Sequence, residues 1–233
     1  MGKTLCVIPA RGGSKRIPRK NIVEFEGKPL IAHSIENALN SSIFDEVIVS
    51  TDDEEIASIS RKFKAKIPFM RPKELSDDYA PTNAVISHAI KELASLGQDF
   101  ETVCCLYATA PLIDSEILKQ AYAEFKEKDC EFLSTACEFS YPIQRAFMLD
   151  KDKRITMFDE SSYYERSQDL TPAFHDAGAF YFGKSQAWLE GKQAFKPHSR
   201  AFLLPRHLVC DIDSLEDLEF ARLLFKFKNL GLR

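Results

Sequence analysis

The stretch Thr4-Leu5-Cys6-Val7-Ile8-Pro9-Ala10-Arg11-Gly12-Gly13-Ser14-Lys15-Arg16-Ile17-Pro18-Arg19-Lys20-Asn21 decides how the chain is read. It opens on an apolar, partly β-branched run, the pattern of a buried strand. The loop that follows carries five cations (Arg11, Lys15, Arg16, Arg19, Lys20) and no acid, in a chain of 233 residues with formal net charge -4. Two of the nine glycines, Gly12 and Gly13, stand side by side in it. Backbone N–H groups reach phosphate oxygens where no Cβ intervenes, and Lys and Arg neutralise the charge. Open α/β sheets bind ligands at this end of their strands. The reading is a loop for a nucleoside triphosphate. Neither G-x-x-x-x-G-K-[ST] nor G-x-G-x-x-G occurs, which sets aside P-loop kinases and nicotinamide enzymes. The competing reading of a basic run is a solvated face or a nucleic-acid patch. Confinement to one loop of an acidic chain, with no second basic patch, argues against it.

Outward from the loop, strand and helix patterns alternate. Pro29 opens a helix with apolar residues at helical spacing over 30–39, followed by the strand 47–50. Thr51-Asp52-Asp53-Glu54 reads as a capping box for a helix through about Phe63. A helix over 81–95, a strand over 103–107, a helix over 115–128 capped by Asp114 and a strand over 131–137 continue the pattern. It predicts an α/β fold of three layers, Rossmann-like, with a mostly parallel sheet between helices. Between 139 and 171 the regularity loosens into aromatics and turns, read as an inserted arm or lid of a single domain. Strand patterns return at 179–182 and 201–204. Ser214-Leu215-Glu216-Asp217 is a second capping box, opening a closing helix to about Phe227.

The composition is 45% hydrophobic and 28% charged, ordinary for a globular domain. No apolar run approaches the roughly 20 residues of a membrane span, and no signal peptide precedes the first strand, so the expected setting is the cytoplasm, with no membrane and no nucleic acid as partner. The six cysteines form no C-x-x-C and are expected to be buried free thiols.

Asp211-Ile212-Asp213 is the second informative feature. Leu208-Val209-Cys210 before it is strand-like, and alternate residues of an extended segment share a face. Two adjacent carboxylates repel unless a cation lies between them, and hard oxygen ligands suit Mg²⁺. The bland alternative is N-terminal capping of the helix that follows.

With both features on the page, Ile8 to Asn21 resembles the signature of the cytidylyltransferases that activate nine-carbon acid sugars, the CMP-sialic acid synthetase family. Arg71-Pro72-Lys73-Glu74-Leu75 with Asp77 and Asp78 is similar to a second block of that family, and Asp211-Ile212-Asp213 to its closing metal motif. The blocks keep the family's order, so the resemblance spans essentially the whole chain. Within the family, Cys104-Cys105-Leu106-Tyr107-Ala108-Thr109-Ala110, Arg166-Ser167-Gln168-Asp169-Leu170 and His175-Asp176-Ala177-Gly178 look like the branch that uses pseudaminic acid. Sialic acid members typically carry Gln where Tyr107 stands and Arg where His175 stands.

The resemblance implies a nucleotide-diphospho-sugar transferase fold and a reaction of CTP with a nonulosonic acid, giving a CMP-sugar and pyrophosphate. It implies Arg11, Ser14, Lys15 and Lys20 at the triphosphate, with Lys15 at the α-phosphate. Asn21, Arg71 and Thr82 would meet cytidine or its ribose, and the backbone around Ala10 would read the base. Asp211 and Asp213 would hold Mg²⁺, so that Lys15, Arg11, Lys20 and Asp211 act on the reacting atoms. Tyr107, Arg166, Gln168, Asp169 and His175 would face the sugar. Tyr107 could instead cap a core strand, His175 could be a satisfied core histidine, and Gln168 and Asp169 could cap a turn. Arg16 and Arg19 are read as loop-surface charges, and Trp188 as core-edge packing. The family is usually dimeric through an inserted arm, so a homodimer is expected, with Phe147, Phe158, Tyr163 and Tyr164 available for that contact.

Overall fold

The computed structural model describes residues 2–230. In chain order the elements are β1 (Thr4–Pro9), β2 (Glu24–Phe25), β3 (Lys28–Pro29), α1 (Leu30–Ser41), β4 (Glu46–Ser50), α2 (Glu54–Lys62), α3 (Thr82–Ser95), β5 (Thr102–Leu106), α4 (Ser115–Glu127), β6 (Phe132–Glu138), β7 (Phe147–Leu149), β8 (Ile155–Met157), β9 (Phe174–Lys184), α5 (Ser185–Leu189), β10 (Ser199–Leu203) and α6 (Leu215–Asn229). Short 3₁₀ turns join several of them. The six-stranded sheet has the order β10-β6-β9-β5-β1-β4. β1 pairs parallel with β4 and β5, β10 pairs parallel with β6, and β9 runs antiparallel between β5 and β6. The expected mostly parallel α/β sandwich is therefore present.

The strands are apolar on both faces because helices cover both. Ile31, Ile35, Ile56, Leu118 and Phe125 from α1, α2 and α4 pack one face, together with Cys6, Ile8 and Cys104. Ile86, Ile90 and Leu93 of α3 and Trp188 of α5 pack the other, with Leu5, Val7 and Val103. Trp188 Nε1 donates to the Val103 carbonyl, so its polar edge is satisfied. All six cysteines are free, five of them buried, and burial pushes the Cys104 and Cys105 thiols up.

A third cluster matters most for the site. Ile17, from within the basic loop, is buried with Phe25, Leu30, Ile212, Leu218 and Ala221. One apolar side chain thus fastens the loop to the Asp211–Asp213 segment and to α6. Burying such a side chain contributes about 1.5–3 kcal/mol.

Three local expectations change. α2 is capped by Asp53, whose carboxylate accepts from the Ile56 N–H, and Thr51 only accepts from the Asp53 N–H. The segment before Asp211 is a 3₁₀ turn over Arg206–Leu208 followed by irregular backbone, not a strand. The strand read over 179–182 is the centre of the longer β9, which bulges where its register with β6 shifts between Ser134 and Ala136. At that bulge Thr135 Oγ1 donates to the Phe180 carbonyl and accepts from the Phe180 N–H, replacing ladder bonds. Both capping residues expected at Asp114 and Ser214 are in place, the second as a reciprocal box with Asp217.

The 139–171 segment holds the β7–β8 hairpin, a two-stranded sheet of its own. It leaves Phe147, Met148, Leu149, Ile155, Phe158 and Tyr164 exposed.

Candidate functional site

A cavity of about 240 Å³ opens where β1 and β5 end, roofed by the basic loop and the 71–80 segment. Arg11, Ser14, Lys15, Lys20, Asn21, Arg71, Thr82, Tyr107 and Asp213 all line it, bringing together residues read from four separate stretches of sequence. Ala10 lies buried beneath, its N–H taken by the Ser50 carbonyl. Pro9 and Ala108 instead face the cavity at that level.

The loop is held by its polar groups. Asn21 Nδ2 donates to the Arg11 carbonyl at 2.9 Å, and the Gly12 N–H donates to Asp52 Oδ1 at 3.0 Å. A Cβ at Gly12 would fall 2.7 Å from Asp53 Oδ2 and 3.0 Å from its Cβ, so a larger residue here would displace the Asp53 side chain at the start of α2. Arg19, at φ 56°, forks onto Asp53 at 2.6 and 2.9 Å and also reaches Glu55. It ties the loop to α2 and does not line the cavity. Arg16 does line it, mostly exposed and 2.9 Å from Asp213.

Two carboxylates neutralise the remaining cations. Asp78 lies 2.5 Å from both Arg11 and Lys15. Lys20 Nζ donates to the Ile212 carbonyl at 2.6 Å and to Asp213 Oδ1 at 3.2 Å. Arg71 is the exception. It is 6% exposed, its Nε and Nη2 find no hydrogen-bond partner, and Asp52 stands 3.9 Å away. Desolvation lowers its pKa, against the pull of Asp52. An unsatisfied buried donor costs on the order of 1–3 kcal/mol.

Asp211 is exposed and does not line the cavity, whereas Asp213 does. Although Asp211 keeps contact with solvent, partial desolvation by the protein around it and the charge of Asp213 push its carboxyl up from its ordinary value. The pair supplies hard oxygens under mutual repulsion, which is the donor chemistry Mg²⁺ relieves. Among the described residues, no group of three or more His, Cys, Asp or Glu is arranged to hold a metal ion. The pair alone is therefore an incomplete shell, one that phosphate oxygens and water would fill.

Tyr107 stands at the cavity's end, its hydroxyl 2.8 Å from Thr82 Oγ1, and burial pushes the phenol up. Beyond it lies a second cavity of about 410 Å³, lined by Thr82, Tyr107, Tyr181, Trp188, Lys192 and Phe195. His175 lines a third, with Asp176 and Phe195, its ring edge-on to Phe139 and its Nδ1 2.8 Å from the Asp176 carbonyl. Arg166 pairs with Asp169 at 2.6 Å on the arm, and Gln168 lines a groove at the arm's base. None of these last four lines the first cavity.

Asp78, Asp52, Tyr181 and Asp176 were not anticipated as site residues. The only sequence signal for Asp78 was its place beside the Arg71–Leu75 block. Asp176 and Tyr181 become neighbours through the β9 bulge, which no periodicity announces.

The family model described as Cytidylyltransferase matches residues 5–226. The chain is 63% identical to a pseudaminic acid cytidylyltransferase of Campylobacter jejuni, over 96% of this chain and 97% of the relative. An N-acylneuraminate cytidylyltransferase of Escherichia coli is 32% identical over 97% of this chain and 53% of the relative. Among solved structures, a CMP:2-keto-3-deoxy-manno-octonic acid synthetase complexed with CTP superposes with a TM-score of 0.70 at 19% identity, covering 97% of this chain and 99% of that one.

Proposed function

The chain belongs to the cytidylyltransferase family, and from that premise we propose that it transfers CMP from CTP to the anomeric hydroxyl of pseudaminic acid, releasing pyrophosphate. The observation that carries this reading is 63% identity, extending over nearly the full length of both chains, to a relative named for that activity. The cation-lined cavity, joined through Thr82 and Tyr107 to a less charged one, supports it.

The sugar hydroxyl attacks the α-phosphorus in line, the bond to the β-phosphate oxygen breaks, and the hydroxyl proton is released to water. Such a step is governed by positioning and by charge stabilisation. Arg11, Ser14, Lys15 and Lys20 take the triphosphate and then the departing pyrophosphate. Lys15, on an exposed stem, neutralises charge at the α-phosphate as the leaving group separates. Arg71, Asn21 and Thr82, which line the cavity, take the cytidine side. For this to happen Asp78 must leave Arg11 and Lys15, since its carboxylate holds the charges the triphosphate would take. Asp211 and Asp213 would hold Mg²⁺, which when bound offsets charge on phosphate oxygens.

Arg166, Gln168 and Asp169 lie on the arm, away from the nucleotide cavity of their own chain, so the proposed assembly is a homodimer in which the arm reaches the neighbouring subunit. Its exposed apolar side chains support an interface role. Among the described residues no helix is long and apolar enough to cross a membrane; the proposed setting is the cytoplasm, where CTP is made.

The test is pyrophosphate release from CTP and Mg²⁺ with pseudaminic, legionaminic and N-acetylneuraminic acids in parallel. Release with pseudaminic acid alone is the expected result. Release with another acid moves the sugar assignment, and release with none overturns the acceptor class.

A further inference from the structure

The cavity beyond Tyr107 contains a hydrogen-bonding group whose polarity is set from outside it. Tyr181 faces this cavity, 7% exposed, its ring edge-on to Tyr107 with centroids 5.8 Å apart. Its hydroxyl lies 2.5 Å from Asp176 Oδ2. The other oxygen of the same carboxylate, Oδ1, accepts the Gly178 N–H at 2.9 Å. Gly178 has φ 60°, a conformation that suits glycine, and this turn at the β9 bulge folds Asp176 back toward Tyr181. Asp176 itself lies outside the second cavity, lining the adjoining one with His175 and Phe195.

A carboxylate has lone pairs and no proton to give. In the Asp176–Tyr181 bond the proton therefore comes from Tyr181, and the bond to a charged acceptor is of the stronger kind. Once that proton is committed, the Tyr181 oxygen has only lone pairs left for anything in the cavity. A ligand placed there meets an acceptor, so it must present an N–H or O–H.

We propose that Asp176 is a specificity-determining positioning residue: by fixing the Tyr181 hydroxyl as an acceptor, it makes the second cavity select an N–H or O–H donor on the acceptor sugar. Asp176 acts through Tyr181 and touches no reacting atom. This rests on the reading of the enzyme as a cytidylyltransferase acting on a nonulosonic acid. It adds which residue sets the hydrogen-bond sense of the sugar side, and it separates that setting from the nucleotide side.

The experiment is a double-mutant cycle on the full chain, with Asp176→Asn, Tyr181→Phe and the double variant. KM for CTP and KM for the sugar are measured separately, using whichever of the three nonulosonic acids the unmodified enzyme turns over. Its activity reports on the reading of the reaction, and the variant ratios report on the inference. Asp176→Asn and Tyr181→Phe should each raise the sugar KM roughly tenfold or more, the scale of one hydrogen bond to a charged group. KM for CTP should stay within about twofold. The double variant should be no worse than Tyr181→Phe alone, because Asp176 has no other route to the sugar. Independent, additive effects would overturn the proposal. So would an equal rise in both KM values, which is what a merely structural loss at the bulge produces. Should Asp176→Asn prove unstable, Tyr181→Phe with unchanged sugar KM suffices to overturn it.

Discussion

The two ends of the substrate path are built differently. At the nucleotide end, Arg11, Lys15, Arg16 and Lys20 already have carboxylate partners, and the basic loop is pinned by Ile17, Asn21 and Arg19. At the other end, Arg166, Gln168 and Asp169 sit on an arm whose apolar side chains face solvent. The first region is tied together by contacts within one chain, while the second presents surface that one chain does not cover.

The sharpest break of this contrast would come at Lys15. Lys15→Ala should lower turnover by roughly 10²-fold or more with every sugar accepted, as for loss of one preorganised charge stabiliser. Near-normal steady-state turnover would remove it from the nucleotide end. Next in size is the arm. Phe147→Asp combined with Phe158→Asp should give a monomer at micromolar concentration by light scattering, with CTP affinity retained in calorimetry. A dimer of unchanged mass would mean the arm does not hold the second copy. A smaller effect is expected at Asp78. Asp78→Asn removes an anion that competes with triphosphate for Arg11 and Lys15, so KM for CTP should fall by up to about fivefold, the range of an exposed ion pair. A rise would show that Asp78 supports the nucleotide.

The smallest effect concerns the anchor of the loop. Arg19 holds the Asp53 carboxyl below its ordinary value, chiefly through their hydrogen bond, with the Ile56 N–H adding to it. A depressed folded value means that folding favours the ionised form. The stability it brings is present above the unfolded value of about 4 and is lost as pH falls through the folded value. Asp53→Ala should cost about 1 kcal/mol, the usual worth of an N-cap, near neutral pH and progressively less toward pH 3 in thermal melts. A pH-independent loss would assign the effect to packing.

Much of the nucleotide end was legible because its signals are local. A strand, a glycine pair and five cations lie consecutively, so their meeting requires no knowledge of the fold. The alternation of strands and helices announced the sheet in the same way. What escaped depends on long-range register. The antiparallel insertion of β9 between β5 and β6 pairs residues as distant in sequence as Thr102 and Lys184, and the Asp176–Tyr181 bond forms across the bulge in that strand. The misplaced cap at Thr51 has a simpler cause. Thr51, Asp52 and Asp53 are all good caps, and Asp53 is the one that also meets Arg19. The direction of the Asp211 carboxylate was not readable either, since irregular backbone rather than a strand carries it.

β9 has one further consequence, for the order in which the molecule is made. The sheet divides into β4-β1-β5 on one side and β6-β10 on the other, and only β9 joins them. During synthesis β5 and β6 emerge long before it, each with a bare hydrogen-bonding edge of apolar residues such as Cys104, Leu106 and Leu133. Until about residue 184 has left the ribosome, neither edge has its native neighbour. Unpaired edges of this kind invite pairing with other chains. A nascent chain that ends before β9 accordingly leaves both halves of the sheet with an edge open to pairing with other chains.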